Sequence, residues 1–511
     1  MTASFDSAAF SRRTLLLSGL GAAGALLLAG CAPGAPTLIT PTAPPIGAAE
    51  TARGGTGRVV STTLRAAATT VDLAGTKAQT WAFGNIPASV IRATAGDTIA
   101  ARVENGLSTE TSVHWHGLAL RNDMDGVPGL TQDAIPAGGA FDYRFIAPDP
   151  GTYWFHPHVG VQLDRGLYGA LIVEDPKEPL QYDDEWVLIL DDWLDGITAT
   201  PDQVLADVSK GMGGMGNMGG MGGMGNMGGA PMRMGNMLMG TASNLLGGDS
   251  GDVYYPTYLI NGKPPADPAQ FTGKPGARIR LRIINAGSDT AFRFAIGDHR
   301  LTLTHTDGFP IDQVDVDGVL LGMGERIDAL ITLKSGAFPI VAAAEGKQAA
   351  ASAVIRTGGG AGPNPTTAIP ELNGQIAMAT KLTAAESVRL PDRKTDRSLT
   401  MTLTGSMMAY DWAINGRRFN ASDPLAGALA VAEGERVELN IVNNTTMWHP
   451  IHLHGHTWQL PGGPRKDTSI LLPGTSLKVQ FDADNPGRWA AHCHNIYHAE
   501  SGMMTVLGYR A

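Results

Sequence analysis

The segment from His492 to Met503 carries donor groups for two different metal centres within twelve residues. Successive side chains of a β-strand point to opposite faces, so we expect His492 and His494 on one face and Cys493 on the other. The imidazoles and the thiolate can then serve separate metal ions. Cys493, His498 and a weak axial Met503 match the His₂Cys-plus-thioether set of a blue-copper electron-transfer site. The spacing therefore predicts two copper centres that are joined through Cys493.

Three further histidine pairs have the same i, i+2 spacing and lie far apart in the chain. They are His114 with His116, His156 with His158, and His452 with His454. With His492 and His494 they provide eight imidazoles, which are too many for one ion and suit a cluster of coppers. His449 lies three residues before His452, so strand parity places it on the opposite face, with Cys493. One such pair alone is more often free of metal, but four pairs with this cysteine and methionine indicate copper.

These motifs resemble the copper-binding segments of the multicopper oxidases, the family of laccases, ascorbate oxidase and bacterial cuprous oxidases. The resemblance runs from about Thr80 to the C-terminus and implies four copper ions. It assigns the type 1 copper to His449, Cys493, His498 and Met503, and the type 2 copper to His114 and His452. It assigns the binuclear type 3 pair to His116, His156, His158, His454, His492 and His494. The implied reaction takes single electrons from a donor and uses four of them, with four protons, to reduce O₂ to two waters.

The resemblance also implies three cupredoxin domains, with the copper cluster between the first and the third. Internal repeats support three units. Steps of nine and eighteen residues lead from Gly96 to Asn105 and His114, and from Gly434 to Asn443 and His452. The same steps lead from Gly276 to Asn285 and Phe294, without a histidine pair. The first and last units therefore carry cluster ligands, and the middle unit carries none.

Length and composition agree with an all-β protein. At roughly 150 residues per domain, 511 residues suggest about three domains and additional segments. The 66 glycines and 32 prolines indicate many turns. Short alternating runs at 278–284 and 436–442 fit half-buried strands. We predict three cupredoxin-like Greek-key β-sandwich domains over 56–178, 179–375 and 376–511, with the type 1 site in the last.

The N-terminus is predicted to be an export signal. Arg12 and Arg13, followed by an apolar run, resemble a twin-arginine signal. The run ends in Leu-Ala-Gly-Cys31, which resembles a lipobox whose cysteine is lipidated; a plain cleaved signal and an uncleaved anchor are the alternatives. We predict a signal over 1–31 and a Pro/Ala/Thr-rich tether over 32–55. The protein would then lie outside the cytoplasm, in the periplasm or on the outer face, attached to the membrane through Cys31.

Cysteine and charge content narrow the possible partners. The chain has two cysteines, Cys31 and Cys493, and each already has a predicted role, so we expect no disulfide. The formal net charge is −10 at pH 7. An acidic surface favours cations, and without a basic patch we expect no nucleic-acid partner. We expect a monomer.

Methionine is concentrated between Met212 and Met239, a segment that holds ten of the chain's 20 methionines. The nine residues from Met212 recur unchanged from Met221. Glycine at this density works against a packed structure, so we do not expect these methionines in a core. Thioethers suit Cu(I), which favours copper handling over a low-complexity insertion without a role. Methionine-rich insertions are also typical of the cuprous-oxidase branch of the resembled family.

Four protons must reach the cluster, and two carboxylates are candidates for their relay. Asp125, in the run Met-Asp-Gly-Val-Pro, matches the acidic residue that follows the first histidine pair in the family. Glu500 is the second candidate. Many bacterial members place an acid directly after the last type 1 histidine, where this chain has Ala499. For both acids the alternative is a solvated turn carboxylate.

Three functions are compatible with these features. The first is a cuprous oxidase that converts Cu(I) to Cu(II) in copper detoxification, which the methionine-rich segment, the lipid anchor and the acidic surface favour. The second is a laccase-like oxidase of phenols, Mn(II) or Fe(II). The third is a non-catalytic copper-storage lipoprotein. In either oxidase we expect the donor near His449 or His498, because one imidazole edge is usually the exit to solvent.

Overall fold

The computed structural model describes residues 37–211, 231–358, 362–363 and 368–511. The predicted signal, Cys31 and residues 212–230 of the methionine-rich segment lie outside the described residues. The described residues form three β-sandwiches in chain order, which confirms the predicted all-β fold. Within these ranges, no helix combines the length and the apolar character needed to cross a membrane.

The N-terminal described segment packs on both the first and the third sandwich, through contacts such as Glu50 with Ile146 and Arg53 with Asn485. Helix α1 (Pro44–Arg53) buries Ile46. The backbone N–H of Ile39 donates to the Tyr509 carbonyl at 2.9 Å, and that of Ala511 donates to the Thr37 carbonyl at 2.9 Å. The sequence predicted a tether over 32–55, and the structure places residues 37–53 of that range in contact with the sandwiches. Leu38, Ile39 and Ile46 bury their apolar side chains in these contacts, which holds the segment against the protein.

The first sandwich consists of two four-stranded sheets. Its strands are β1 (Val59–Leu73), β2 (Thr76–Ala82), β3 (Ala88–Thr94), β4 (Thr98–Asn105), β5 (His114–His116), β6 (Ala140–Ile146), β7 (Gly151–His156) and β8 (Gly169–Glu174). The strand orders are β2-β1-β4-β6 and β3-β8-β7-β5. The edge strand β5 pairs antiparallel with β7, and His114 lies opposite His156 in this register.

A short helix and a hairpin lie at the start of the middle domain. Strand β9 (Asp184–Trp193) leads to α2 (Pro201–Val208), which begins with a capping box between Thr200 and Gln203. After residues 212–230, β10 (Met232–Met234) and β11 (Met237–Met239) form an antiparallel hairpin. Its register places Met232 opposite Met239 and Met234 opposite Met237.

The middle sandwich consists of two six-stranded sheets. Besides β9, its strands are β12 (Thr257–Ile260), β13 (Ala269–Thr272), β14 (Arg278–Asn285), β15 (Phe292–Ile296), β16 (Leu301–Thr306), β17 (Phe309–Val316), β18 (Gly318–Leu321), β19 (Arg326–Thr332), β20 (Ala337–Ala344), β21 (Ala349–Arg356) and β22 (Ile376–Met378). The orders are β12-β9-β14-β19-β16-β17 and β13-β21-β20-β15-β18-β22. Residues 376–378, assigned to the third domain from the sequence, thus pair with β18 of the middle domain.

The third sandwich has one six-stranded and one five-stranded sheet. Its strands are β23 (Arg397–Thr404), β24 (Ala413–Ile414), β25 (Leu429–Val431), β26 (Arg436–Asn443), β27 (His449–Leu453), β28 (Trp458–Gln459), β29 (Arg465–Lys466), β30 (Thr468–Leu471), β31 (Ser476–Asp482), β32 (Arg488–Cys493) and β33 (Met504–Tyr509). The orders are β24-β23-β26-β31-β28-β29 and β25-β33-β32-β27-β30. Helix α3 (Ile496–Glu500) follows β32. Short 3₁₀ turns occur at Asn122–Met124, Gln162–Asp164, Pro370–Asn373, Ala379–Lys381 and Glu386–Val388.

One asparagine ends the corresponding strand of each sandwich, and all three make the same bonds. Asn105, Asn285 and Asn443 are the last residues of β4, β14 and β26. Each accepts from the backbone N–H two residues later through its side-chain oxygen and donates to distant carbonyls through its amide. The nine-residue step from glycine to asparagine is therefore a structural repeat, and in the first and third sandwiches it precedes a histidine pair.

Strand β14 differs from the prediction of a half-buried strand. Arg280 and Arg282 were expected on an open face, but both are buried. Their guanidinium groups pair with Asp328 of β19, which also accepts a bond from Thr152 of the first sandwich. A buried charge requires such partners. The polar face of β14 is therefore an interface between the first two domains.

Candidate metal centres

Cys493 faces two imidazoles on the side of its strand that is opposite to His492 and His494. His449 begins the adjoining strand β27, and His498 lies in α3. The Cys493 Sγ is 3.6 Å from His449 Nδ1 and 3.8 Å from His498 Nδ1, and the two nitrogens are 3.2 Å apart. All three side chains are buried. One sulfur and two nitrogens therefore surround a common point.

The main chain around α3 holds this site together. The Asn495 side chain caps α3 by accepting from the N–H groups of Tyr497 and His498. Met503 donates its N–H to the His498 carbonyl at 3.0 Å and accepts at its carbonyl from the Cys493 N–H at 3.1 Å. Met503 is thus buried next to Cys493 in the hydrogen-bonded backbone, while its role as axial ligand stays a prediction.

Burial determines the protonation of the Cys493 site. It raises the pKa of the Cys493 thiol and lowers the pKa of His498 to about 4. Burial, followed by the neighbouring imidazole of His498, also lowers the pKa of His449. Neutral imidazoles have lone pairs free for a metal, and a bound cation would stabilise the thiolate.

The four histidine pairs converge between the first and third sandwiches. Their nitrogens form three groups, and within each group the ligand atoms lie within 4.8 Å of one another. The groups are His114, His116 and His452; His116, His156 and His494; and His158, His454 and His492. Every group combines side chains from both domains. The structure thus brings together all eight imidazoles that the sequence singled out.

For five of the eight rings, hydrogen bonds and short polar contacts show which nitrogen faces the cluster. Four rings donate from Nδ1 to a backbone carbonyl at 2.8–3.0 Å: His114 to Asp125, His156 to Pro157, His452 to Asp467 and His492 to Cys493. Nε2 of three of these rings is buried without a hydrogen-bond partner in the described part of the chain: His114, His156 and His452. His116 is reversed, because Nε2 faces Asp467 and Nδ1 has no described partner. Buried lone pairs of this kind fit metal ligands.

Asp125 lies among the cluster histidines. Its Oδ2 is 2.9 Å from His454 Nδ1 and its Oδ1 is 3.1 Å from His114 Nδ1. The side chain is fully buried. The structure therefore places Asp125 in contact with two imidazoles of the cluster, whereas a solvated turn carboxylate would be exposed. Its part in proton transfer remains a prediction.

Glu500 has a different environment. It is the last residue of α3, and its side chain is exposed. Although the side chain reaches solvent, the protein around it removes enough water to raise the pKa of Glu500 to about 7. The Glu500 side chain makes no hydrogen bond or ion pair with any other described residue. The structure does not bring it to the buried cluster.

Two buried carboxylates near the metal centres were missed in the sequence analysis. Asp467 Oδ1 is 3.2 Å from His116 Nε2, and Asp252 Oδ2 is 3.6 Å from His498 Nε2. Burial alone would raise the pKa of Asp467, yet Arg326 and the histidine contacts hold that pKa well below its usual range. Neither aspartate stands in a metal-binding spacing, so no motif pointed to it.

Family models and curated relatives agree on one family. Three models, each described as multicopper oxidase, match residues 65–178, 239–360 and 392–510. The chain is 47% identical over 513 residues to multicopper oxidase MmcO of Mycobacterium tuberculosis, with 99% of this chain and 98% of that protein covered. It is 30% identical over 525 residues to a copper resistance protein A homolog of Pseudomonas syringae pv. tomato, with 82% and 87% covered.

Solved structures share the fold. Fet3p, a multicopper oxidase that functions in iron import, superposes with a TM-score of 0.71 at 21% identity, over 88% of this chain and 90% of that chain. The laccase from Botrytis aclada superposes with a TM-score of 0.71 at 24% identity, over 94% and 93%. The family models, together with a relative that matches almost the whole chain, show that this chain belongs to the multicopper oxidase family.

Proposed function

We propose that the protein oxidises a donor one electron at a time at the Cys493 site and reduces O₂ at the histidine cluster. Copper, when bound, would accept single electrons at the first site and transfer four of them, with four protons, to O₂ at the second, giving two waters. The type 1 ion would be held by His449, Cys493, His498 and Met503. The type 2 ion would be held by His114 and His452, and the two type 3 ions by His116, His156 and His494 and by His158, His454 and His492.

The chain itself connects the two sites. Cys493 lies between His492 and His494, and these two imidazoles belong to different groups of the cluster. The Cys493 carbonyl also accepts the Nδ1–H of His492 at 2.8 Å. An electron that arrives at the sulfur therefore has short covalent and hydrogen-bonded routes to the cluster.

Our choice of donor rests on the residues that cover the His498 side chain. Both type 1 imidazoles are fully buried, so neither has the solvent-exposed edge that the sequence analysis expected. A carboxylate oxygen of Asp252 lies 3.6 Å from His498 Nε2. The carbonyl of Asp252 accepts from the N–H of Leu238, in the methionine hairpin, at 2.8 Å. Asp252 therefore connects His498 with the hairpin that carries Met237 and Met239.

The other flank of the methionine-rich segment reaches the same place. Gly211 lies so close to the Met408 carbonyl that a Cβ would clash with it. Tyr410 follows two residues after Met408, and its ring lies 6.1 Å from the His498 ring. The Trp412 ring lies 4.4 Å from the His498 ring. The described residues on both sides of 212–230 therefore contact elements that pack on His498. Because soft thioethers suit Cu(I), we infer that Cu(I) is the donor and copper detoxification the role.

Two other functions make different demands on the structure. Fe(II) or Mn(II) is the second candidate donor, because Asp252 offers the oxygen ligand that harder cations prefer. Phenols are less favoured, since a ring would have to reach a buried imidazole. A copper store would bind the metal without consuming O₂, so sustained O₂ uptake with Cu(I) would exclude it.

The decisive test is to replace the six methionines between 212 and 227 by leucine, which keeps the length of the segment. We expect kcat/KM for Cu(I) to fall at least about 10-fold because the thioethers are gone, while kcat/KM for a phenol or Fe(II) changes less than about 2-fold. Steady-state O₂ uptake measures all three. An equal loss for every donor, or no loss for Cu(I), would contradict the proposal.

Export and lipid attachment at Cys31 are part of the proposal. Cys31 lies outside the described residues, and residues 37–53 pack on the first and third sandwiches, so a free linker would be limited to the residues between Cys31 and this segment. Metabolic labelling with a radioactive fatty acid should mark the wild-type protein and not Cys31→Ser. Equal labelling of both proteins would exclude lipidation at this residue.

A further inference from the structure

The middle sandwich, which has none of the predicted copper ligands, places one charged side chain beside the cluster. Arg326, the first residue of β19, is fully buried. Its guanidinium donates to both carboxylate oxygens of Asp467, at 2.7 Å and 2.6 Å. Asp467 lies between β29 and β30 of the third sandwich. This bidentate pair therefore crosses a domain boundary in the interior of the protein.

Asp467 in turn contacts imidazoles of both outer domains. Its Oδ1 is 3.2 Å from His116 Nε2, and its carbonyl accepts from His452 Nδ1 at 3.0 Å. The Thr468 hydroxyl donates to Asp467 Oδ1 at 2.8 Å and lies 3.1 Å from His452 Nδ1. His452 is a predicted type 2 ligand and His116 a predicted type 3 ligand. Asp467 thus determines how both rings are turned.

Three domains fix the position of the guanidinium. Arg326 also donates from Nε to the Thr152 carbonyl at 3.0 Å and from one Nη to the Gly324 carbonyl at 3.1 Å. Gly117, directly after His116, has a φ of +88°, and a Cβ there would clash with the guanidinium. The backbone next to His116 therefore accommodates the arginine. A lysine could supply the charge but not this planar, four-bond arrangement.

We propose that Arg326 is a positioning residue for the copper cluster. By holding Asp467, it keeps the proton of His116 on Nε2 and that of His452 on Nδ1, so that His116 presents Nδ1 and His452 presents Nε2 to the metal. Partners behind a ligand commonly determine ring orientation in metal sites. The inference rests on the proposed function, because it takes the cluster to bind copper. The competing explanation is an ion pair that only joins domains.

The test compares Arg326→Met, Arg326→Lys and Asp467→Asn with Arg436→Met. Arg436 is an equally buried arginine of the third sandwich that pairs with Asp482 at 2.8 Å and touches no cluster histidine. Each protein is titrated with copper against a chelator, with the blue absorption reporting the type 1 site and electron paramagnetic resonance reporting the type 2 site. Thermal melting reports stability.

We expect Arg326→Met and Asp467→Asn to lose about 10- to 100-fold in type 2 copper affinity while the blue absorption stays, and Arg326→Lys to lose part of this. Arg436→Met should lower the melting temperature only. Unchanged type 2 affinity in Asp467→Asn and in the Arg326 variants that fold would overturn the inference, even if stability falls. If the wild-type protein bound no type 2 copper, the proposed function would fail instead.

Discussion

At the scale of single residues, six of the eight cluster imidazoles make a polar contact on the side of the ring away from the cluster. Backbone carbonyls are the partners of four rings, but His454 relies on the carboxylate of Asp125. That carboxylate is fully buried and also lies beside His114. A buried acid in contact with two cluster ligands is well placed to pass protons to bound O₂, unlike the exposed Glu500.

This placement predicts separate effects on the two halves of the reaction. In Asp125→Asn, O₂ uptake should fall about 100-fold, because the side chain can no longer carry a proton. Bleaching of the blue absorption by donor without O₂ should be unchanged, since the Cys493 site is intact. Glu500→Gln should alter O₂ uptake less than about 2-fold. The reverse ranking of the two variants would remove Asp125 from the proton path.

At the scale of elements, the loop between β18 and β19 brings the middle sandwich to the cluster. Gly324 has a φ of +85°, and a Cβ there would lie 2.9 Å from His494 Cδ2 and 3.0 Å from His116 Cε1. These distances are shorter than ordinary carbon contacts, so no side chain fits without moving a ligand. The loop therefore closes one wall of the cluster, although its own domain carries no predicted copper ligand.

We therefore predict that Gly324→Ala displaces imidazoles, whereas a glycine of similar conformation elsewhere tolerates alanine better. Gly276 in the same sandwich has a φ of +83° and nothing within 4 Å of an added Cβ among the described atoms. Gly276→Ala should cost about 1 kcal/mol from backbone strain, and Gly324→Ala about 1–3 kcal/mol more from overpacking. Copper content measured by atomic absorption should fall in Gly324→Ala only. Equal copper in both variants would contradict this view of the loop.

At the scale of the whole molecule, a buried ion pair of the middle sandwich lies at the boundary with the first sandwich. Asp328 of the middle sandwich is fully buried, pairs with Arg280 at 2.6 Å and accepts from Thr152 of the first sandwich at 2.7 Å. Burial would raise the pKa of Asp328, but the charges of Arg280 and Arg282 outweigh it and hold that pKa at about 2. The carboxylate is thus more acidic in the folded protein than in the unfolded chain.

The sign of this shift predicts acid sensitivity. The ion pair of Asp328 with Arg280 and Arg282 contributes ~2 kcal/mol to the free energy of unfolding above about pH 4. This contribution is lost as the pH falls towards 2. Urea unfolding of the wild type should therefore weaken more between pH 5 and pH 2.5 than that of Asp328→Asn, which is less stable at every pH because it leaves arginines unpaired. Parallel pH dependence in the two proteins would show that Asp328 does not titrate in this way.

The sequence by itself determined the local features. Alternation along a strand is a property of the backbone, so the i, i+2 pairs and the intervening Cys493 could be assigned to opposite faces before any fold was known. The repeated glycine-to-asparagine step likewise indicated three related sandwiches, because each repeat consists of a short run of consecutive residues. Family membership and the all-β class followed from these short patterns, and both are confirmed.

Only the tertiary structure decided which distant side chains meet. Arg326 and Asp467 are 141 residues apart, and His116 and Asp467 are 351 apart. The pairing of residues 37–39 with the C-terminal end of the chain and the contact of Asp252 with His498 join similarly remote segments. Such contacts depend on how three sandwiches are placed against one another, which no local periodicity encodes. The predicted ligands can therefore be identified from the sequence, whereas the groups that orient and cover them can be identified only in the folded molecule.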